Sequence, residues 1–383
     1  MNGLNHSKDN LIKLVQNVFL GETNELNELN LDEIYALARF HSIEYIIYTA
    51  LKNYNLDVND DFKKRSEINA YKSITQELEL PNLEKLFSDN NICFLPLKGA
   101  IIQKMYPKVE YRNMADIDIL LKKEDLKKAG KLVQRVGFSV DSVGGNHDTY
   151  TKKPYVHIEL HRAMIGDCYE IASYYDDIWS SSKIYQGKND EYHYYLRDED
   201  YYIFMICHAA KHFSGGGTGF RTIIDAYIYL KEKKDLDFDY INQELKGLKL
   251  DKFDKLLKES VDYIFYHKEI DKDDKEDVLF FIDYIINSGT YGNSLNSSTR
   301  DIVKEGSKKK HIFRRLFPTY KMMSSRNPIL KKVPILLPWF YFTRLLKGIF
   351  HFKENKKRYD TIVNVNEDDI KRINKIKEIT GVE

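Results

Sequence analysis

The hydrophobic pattern of the chain changes period twice, and this restricts the fold more than any other feature. Apolar residues recur at helical spacing up to about residue 90, follow strand patterns from 92 to 161, and return to helical spacing from about 198. Helices, then a small mixed sheet, then helices is an order typical of an α+β protein rather than a regular β-α-β series. We therefore predict an α+β fold, with a small mixed β-sheet flanked by N-terminal helices and a C-terminal helical domain.

Particular segments follow from this pattern. The expected helices span residues 8–21, 31–53, 60–90, 123–137, 198–213, 220–233, 253–268 and 274–288. The expected strands span residues 92–97, 115–121 and 155–162, with a hairpin formed by FSVDSV and HDTYTKK around the turn GGN. We divide the chain into an N-terminal helical region (1–90), a mixed-sheet core (91–195), a helical domain (196–300) and a basic C-terminal region (301–383).

Positive charge is concentrated in one segment near the C-terminus. The 383-residue chain has a formal net charge of only +1, but residues 304–358 hold sixteen Lys and Arg against two Glu, a local charge of +14. The overall composition, 43% hydrophobic and 31% charged, is that of a globular protein. We therefore expect any contact with nucleic acid or with a membrane surface to involve residues 304–358.

The stretch VPILLPWFYF, residues 333–342, comes nearest to a membrane-spanning helix. It is much shorter than the roughly 20 apolar residues that such a helix needs, and it contains Pro334 and Pro338. We therefore predict no transmembrane helix. Flanking Lys and Arg residues would let the stretch lie on an anionic membrane surface, but we favour packing against the protein's own body.

Cysteine usage and the first residues indicate the compartment. Cys93, Cys168 and Cys207 are far apart and form no CxxC pair, which is typical of a reducing compartment and gives no support to a zinc finger or a disulfide framework. The sequence MNGLNHSKDN has no cationic segment followed by an apolar one, as a signal peptide has. The sequence thus predicts a cytoplasmic protein.

Two aspartates lie one residue apart in the expected strand ADIDILL. Residues i and i+2 of a strand share a face, so Asp116 and Asp118 would project together while Ile117 and Ile119 fill the opposite face. Two adjacent carboxylates repel each other and are costly to bury without a positive partner. That partner is either solvent or an arginine such as Arg112, or it is a divalent metal ion bound together with a nucleotide.

A third carboxylate occupies the expected strand VHIELH. Glu159 shares a face with His157 and His161, and apolar residues alternate with them. On a strand next to Asp116 and Asp118, Glu159 would complete a three-carboxylate site able to hold two metal ions. The three residues of the HxExH pattern also permit a zinc site, but zinc gives no reason for the two aspartates.

The segment LPLKGAIIQ has the order strand, Lys98, Gly99, short helix. A glycine at such a turn lets phosphate approach the backbone, and the first amides of the helix can bind an anion. Glycine breaks of this kind are also common without any ligand. The carboxylates that follow this segment favour a phosphate-binding role for it.

The later helices contain a second group of polar residues. His208, Lys211 and His212 share one helix face by their spacing, and Arg221 and Asp225 share a face of the next helix. The SGGGTG between them does not match the phosphate loop GxxxxGK[ST], so we interpret it as a helix cap and linker. The group either binds phosphates and orients the acceptor, or forms a buried network that includes an Arg221–Asp225 pair.

The motifs LKGAII, RNMADIDILL and VHIELH, followed by HAAKHF and FRTIIDAYIYL, resemble a poorly characterised nucleotidyltransferase family of the DNA polymerase beta-like superfamily. The resemblance runs from about residue 30 to about 350 and includes FPTYKMM and LLPWFYFTR. It implies a nucleotidyltransferase core in the sheet region. It also implies that Gly99 meets the triphosphate, that Asp116 and Asp118 bind metal, and that Glu159 completes the site.

The chain departs from the superfamily pattern at two positions. Ala100 stands where a second Gly or a Ser usually follows the glycine, and the gap from Gly99 to Asp116 is longer than usual. Arg162 stands where a tryptophan is expected after the E-L-H histidine. Lys98 could take over the triphosphate contact that the missing hydroxyl would make.

The sequence therefore predicts a nucleotidyltransferase that depends on Mg²⁺, with Mn²⁺ as a substitute. It would move a nucleoside monophosphate from a nucleoside triphosphate to an acceptor hydroxyl and release pyrophosphate. The alternative is a nucleotide-binding or assembly protein that keeps the fold without turnover. The predicted catalytic and metal-binding residues are Asp116, Asp118 and Glu159. The predicted nucleotide-binding residues are Lys98, Gly99, Arg112, His161, His208, Lys211, His212, Arg221 and Asp225.

Overall fold

The helices and strands follow the predicted order in a computed structural model, which describes residues 6–166, 170–327, 329–350 and 352–382. Cys168 lies outside the described residues. The helices are α1 (His6–Leu20), α2 (Leu31–His41), α3 (Glu44–Asn53), α4 (Asp60–Ser88), α5 (Gly99–Ile102), α6 (Leu126–Arg135), α7 (Asp198–Ser214), α8 (Arg221–Glu232), α9 (Phe238–Gly247), α10 (Asp251–Phe265), α11 (Lys275–Ser288), α12 (Ser294–Glu305), α13 (Lys308–Leu316), α14 (Tyr320–Arg326), α15 (Ile329–Lys332), α16 (Leu337–Phe350), α17 (Phe352–Asn364) and α18 (Glu367–Thr380). The strands are β1 (Phe94–Pro96), β2 (Ile117–Leu121), β3 (Ser139–Ser142), β4 (His147–Lys152), β5 (Val156–His161), β6 (Ile184–Gln186) and β7 (Tyr194–Leu196). The predicted α+β class is confirmed.

The helix predicted over residues 31–53 is two helices. α2 begins at residue 31, as predicted, and the side chain of the preceding Asn30 caps it by accepting a hydrogen bond from the Glu33 amide. Ser42 then adopts a left-handed conformation (φ 54°), and its amide bonds back to the carbonyls of Ala38 and Arg39. This closes α2 and turns the chain before α3 begins.

The main sheet has five strands in the order β1-β2-β5-β4-β3. β2 and β5 are parallel, whereas β1 with β2, β5 with β4 and β4 with β3 are antiparallel. The sheet is therefore mixed, as predicted, and β3 and β4 form the predicted hairpin. Parallel strands need a crossover connection, which α6 and the hairpin provide between β2 and β5.

The two faces of β2 differ as the alternation predicts. Ile117, Ile119 and Leu121 pack in a core with residues of α4 and α6. Leu120 on the other face joins the larger core, which includes α1, α7, α8, α10 and α11. The face that carries Asp118 is thus turned toward the helical part of the molecule.

Several elements differ from the sequence prediction. A second sheet, formed by β6 and β7, was not predicted. The short helix after Gly99 has only four residues and continues as a 3-10 turn over Gln103–Met105. The last helix, α18, packs into the larger core through Ile373 and Ile376. The division of the chain into four regions remains a prediction.

The apolar stretch 333–342 packs against the protein on one side only. The Tyr341 hydroxyl donates a hydrogen bond to the Pro318 carbonyl (2.6 Å). Ile335 and Trp339, in contrast, are 85% and 60% exposed, so our expectation of packing against the protein's own body is wrong for these residues. Within the described ranges, each helix is too short or too polar to cross a bilayer.

Candidate active site

Parallel pairing of β2 and β5 brings the predicted carboxylates together. Asp118 and Glu159 are direct partners in the register of the two strands. Residues directly across neighbouring strands lie on the same face, so both carboxylates project toward the helices. Asp116 precedes the first residue of β2 and is half-buried. The sequence pattern had placed it inside the strand.

Asp118 is the most strongly held of the three carboxylates. The Lys98 ammonium and the Nε2 of His161 both contact its Oδ1 at 2.6 Å, and all three side chains are largely buried. Burial alone would raise the pKa of Asp118, but the charge of Lys98 and the hydrogen bond from His161 outweigh it and hold that pKa far below its usual range. Asp118 is therefore ionised at neutral pH.

Asp116 has the opposite electrostatic environment. Burial, followed by the negative charges of Asp118 and Glu159, raises the pKa of Asp116 to about 7. Among the described residues, none forms an ion pair with Asp116 within 4.0 Å. The site thus contains one carboxylate whose ionised form lacks a cationic partner.

Glu159 and two histidines form a compact group of potential metal ligands. His147, Glu159 and His161 offer ligand atoms that all lie within 4.8 Å of one another. Hydrogen bonding from His161 and the charges of both histidines overcome the effect of burial and lower the pKa of Glu159. His157, proposed as a zinc ligand from its spacing, lies outside this group, and its Nδ1 is 3.0 Å from the Thr151 hydroxyl.

Arg112, one of the alternatives considered as a partner for the aspartates, pairs with Asp225 instead. Its Nε and Nη2 donate to the two carboxylate oxygens of Asp225 at 2.7 and 3.0 Å. The Tyr106 hydroxyl donates to the same carboxylate at 2.7 Å. The expected Arg221–Asp225 pair is therefore replaced by an Arg112–Asp225 pair, and Arg221 instead donates to the Asn113 carbonyl (2.8 Å).

The turn at Lys98 and Gly99 is held tightly from two sides. Lys98 has an unusual backbone conformation (φ 47°, ψ −121°), and its carbonyl accepts a hydrogen bond from Tyr201 (2.7 Å). A Cβ on Gly99 would lie only 2.5 Å from the sulfur of Met114. A side chain at this position would therefore force the buried Met114 side chain to shift.

The predicted residues of α7 and α8 face the carboxylates. The Nε2 atoms of His208 and His212 are 3.1 Å apart, and burial lowers the pKa of both imidazoles, that of His212 to about 4. These histidines are neutral at pH 7, so the positive charge on this side comes from Lys211 and Arg221. Burial and then the Arg112 charge lower the pKa of Arg221, and among the described residues no carboxylate forms an ion pair with it.

A single cleft joins the two sets of residues. It has a volume of about 340 Å³ and lies between the sheet and helices α7 and α8. The predicted residues that line it are Lys98, Gly99, Arg112, Asp116, Asp118, Glu159, His208, Lys211, His212, Arg221 and Asp225. His161 is not among the lining residues and supports Asp118 and Glu159 by hydrogen bonds.

Sequence reasoning missed three residues at this site. His147 joins it because it pairs with His161 across the β4–β5 ladder. Tyr201 lines the cleft and bonds to Lys98, and Lys72 of α4 lies close enough to Asp116 for the two charges to interact. His147 opens an alternating stretch, which could have identified it, whereas Lys72 and Tyr201 lie on long helices without a distinguishing pattern.

A sequence model of the family described as "uncharacterised nucleotidyltransferase" matches residues 27–257. The chain belongs to this nucleotidyltransferase family. No curated protein and no solved structure gives a significant match. The match includes every residue of the cleft predicted from sequence, but it ends before FPTYKMM and LLPWFYFTR, which lie outside the matched range.

Nucleotidyltransferases generally use divalent metal ions, and the donor set of this family member is compatible with one. Carboxylate oxygens are the ligands that Mg²⁺ prefers, and Asp116 is a desolvated carboxylate without a cationic partner. Imidazoles such as that of His147 favour Zn²⁺ over Mg²⁺. The described residues whose ligand atoms lie within 4.8 Å of one another are His147, Glu159 and His161, and Asp116 and Asp118 line the same cleft as Glu159, so the donors present are compatible with a divalent cation.

Proposed function

We propose that the protein is a metal-dependent nucleotidyltransferase that moves a nucleoside monophosphate from a nucleoside triphosphate to an acceptor hydroxyl. The main support is the pairing of Asp118 with Glu159 across parallel strands, next to an Asp116 that lacks a cationic partner. Such a site favours a bound cation, because a cation would relieve the repulsion that raises the pKa of Asp116. The predicted cytoplasmic location remains part of this proposal.

Asp116, Asp118 and Glu159 would hold Mg²⁺, with Mn²⁺ as a substitute. When bound, such ions lower the pKa of the acceptor hydroxyl and neutralise the departing pyrophosphate. His161 positions two of these ligands, since its Nε2 lies 2.6 Å from Asp118 and 3.1 Å from Glu159. His161 is therefore a positioning residue in this proposal.

The cations of the cleft would bind the phosphates. Arg221 supports this role, because it is desolvated, lines the cleft, and lacks an ion pair among the described residues. Lys98 contacts Asp118 now, and a metal ion on Asp118 would free its ammonium to contact a phosphate oxygen. Lys211 is the other cation on this wall, whereas His208 and His212 offer neutral imidazoles to the ligand.

In the proposed reaction, the acceptor oxygen forms a bond to the α-phosphorus and the bond to the bridging oxygen breaks. Pyrophosphate leaves with that bonding pair. Glu159 is ionised and would accept the acceptor's proton. No oxidant or further reactant is needed.

One observation favours the alternative, a nucleotide-binding protein without turnover. Gly99 packs closely against the Met114 side chain, and the helix that follows has only four residues. Phosphate binding by the Gly99 turn thus has less structural support than metal binding. Both functions include nucleotide binding, but only the first releases pyrophosphate.

The test is to incubate the protein with each α-labelled nucleoside triphosphate, Mg²⁺ and a cell extract, and to find which molecule becomes labelled. Asp116→Asn, Asp118→Asn and Glu159→Gln should each lower labelling and pyrophosphate release by about 10²-fold or more while the fold is retained. Asp57→Asn, at an exposed site between α3 and α4, is the control and should be fully active. Full activity of the Asp118→Asn protein would contradict the proposal, and binding without pyrophosphate release would favour the alternative.

A further inference from the structure

An apolar stripe runs along the surface of α16 and the turn before it. It consists of Ile335, Trp339, Phe342 and Leu346, which are 85%, 60%, 52% and 40% exposed. Their spacing of four, three and four residues places them on one side of a helix. Large apolar side chains aligned in this way are unusual on a free protein surface and indicate a contact site.

Two more exposed aromatic residues lie next to α16. Phe313 of α13 and Phe317, directly after that helix, have rings 5.2 Å apart. The Phe317 ring contacts Tyr341 of α16 in an edge arrangement at 5.6 Å. Exposed aromatic side chains are therefore present on the segment before the stripe as well.

Cations flank the stripe in sequence. Lys331 and Lys332 come shortly before Ile335, Lys347 directly follows Leu346, and all three are exposed, as is Arg314 on α13. They belong to the segment 304–358, with its local charge of +14, whereas the rest of the chain is net negative. An amphipathic helix with aromatic and aliphatic residues on one face and Lys and Arg around it is typical of interfacial membrane binding.

We propose that the stripe docks on an anionic lipid bilayer, with Trp339 and Phe342 inserted at the headgroup level. Two other occupants match the surface less well. Nucleic acid would be attracted by the charge and could stack on the aromatic rings, but it offers no partner for Ile335 and Leu346. A second copy of the chain would cover the apolar side chains, but it would bring another strongly positive segment against the first.

The proposal is independent of the nucleotidyltransferase activity, and its test uses no activity measurement. The full chain is mixed with phosphatidylcholine vesicles, or with vesicles that contain phosphatidylglycerol as well, and the vesicles are floated. We expect the protein to float with the anionic vesicles and to bind neutral ones at least about tenfold less. Binding should fall in high salt, because screening weakens the contribution of the lysines.

Two variants distinguish membrane binding through the stripe from nonspecific hydrophobic binding. Trp339→Ala with Phe342→Ala should lower binding to anionic vesicles about tenfold or more. Leu78→Ala, at an exposed apolar residue of α4, is the control and should bind as the unmodified protein does. Circular dichroism checks that both variants are folded. The salt and lipid dependence is measured on the unmodified protein, so it tests the proposal even where a variant does not fold.

Three outcomes would overturn the proposal. They are no binding to anionic vesicles, unchanged binding by the Trp339 and Phe342 variant, and a dimer in light scattering that the same variant dissociates. The last result would assign the stripe to a second copy of the chain. Tight binding of nucleic acid that depends on Trp339, without vesicle binding, would assign it to nucleic acid.

Discussion

Asp116 and Asp118 are two residues apart, yet their environments push their pKa values in opposite directions. Lys98 and His161 contact Asp118 directly, whereas Asp116 is exposed chiefly to desolvation and to the charges of Asp118 and Glu159. Ionised Asp116 therefore destabilises the metal-free fold. Because its pKa is about 7 in the folded protein and near 4 in the unfolded chain, stability falls as pH rises between these values.

This difference predicts the pH dependence of a variant. In EDTA, Asp116→Asn should raise the free energy of unfolding, and the gain should be larger at pH 8 than at pH 5 by more than about 1 kcal/mol. At pH 8 the variant removes a buried charge, whereas at pH 5 the folded protein already has a protonated Asp116. Urea unfolding at both pH values measures the gain in the free energy of unfolding, with Asp57→Asn as the control. An equal gain at both pH values would contradict the raised pKa of Asp116.

The contact between Lys98 and Asp118 predicts a second variant. Lys98→Met should lower the free energy of unfolding by about 3 kcal/mol, because it leaves a buried carboxylate without its main cationic partner. Lys85→Met breaks an exposed ion pair with Asp89 of similar geometry and should cost at most about 1 kcal/mol. Urea unfolding at pH 7 in EDTA compares the two variants. Equal losses would show that burial does not strengthen the Lys98 contact.

The sequence predicts that Asp118 and Glu159 alternate with buried apolar residues because strand alternation is a local property. The side of the sheet that Asp118 and Glu159 occupy follows from the apolar residues between them. The residue that pairs with each charge cannot be predicted from this local pattern, since a buried ion pair joins residues far apart in sequence. Arg112 was one alternative partner for Asp116 and Asp118, but its ion pair is with Asp225, 113 positions later.

At the scale of elements, the Arg112–Asp225 pair joins the segment before β2 to helix α8. It makes two hydrogen bonds in a buried setting, so each single change leaves a charge without its partner. The single changes Arg112→Met and Asp225→Asn should each destabilise the protein, and the double change should cost less than their sum, by about 1–3 kcal/mol. A double-mutant cycle in urea gives this energy.

The same cycle with Arg221→Met in place of Arg112→Met is the control. Arg221 is the partner that helical spacing suggested for Asp225, and the structure directs its Nη1 to the Asn113 carbonyl instead. The second cycle should therefore give a smaller energy than the first. A larger energy for Arg221 would restore the pairing expected from the sequence.

Element boundaries were predicted where a local residue decides them and missed where packing decides them. Asn30 caps α2, and the start of that helix at residue 31 was predicted. His147 enters the site only through the register of the β4–β5 ladder, in which it pairs with His161. A one-residue change of register would turn His147 to the other face, and no local pattern determines that register.

At the scale of the whole molecule, the proposed ligand site lies between two parts of the chain that are distant in sequence. The carboxylates come from the sheet, whereas Lys211 and Arg221 come from helices α7 and α8. The order of elements predicts both parts, but the cleft exists only because the Asp118 face of β2 packs toward those helices. A ligand that contacts both the sheet and helices α7 and α8 should therefore stabilise the packing between them.

This arrangement predicts that metal and nucleotide stabilise the protein together. A nucleoside triphosphate with Mg²⁺, at 100 times its dissociation constant, should raise the free energy of unfolding by about 2.7 kcal/mol, whereas EDTA should abolish most of the gain. Arg221→Met should weaken the effect of the nucleotide but leave the effect of the metal ion alone unchanged, because Arg221 lies on the phosphate side. Arg135→Met, an exposed change on α6, should behave as the unmodified protein does. Thermal unfolding with metal, nucleotide, both or neither measures these effects, and an equal gain from the nucleotide with and without metal would contradict a shared site.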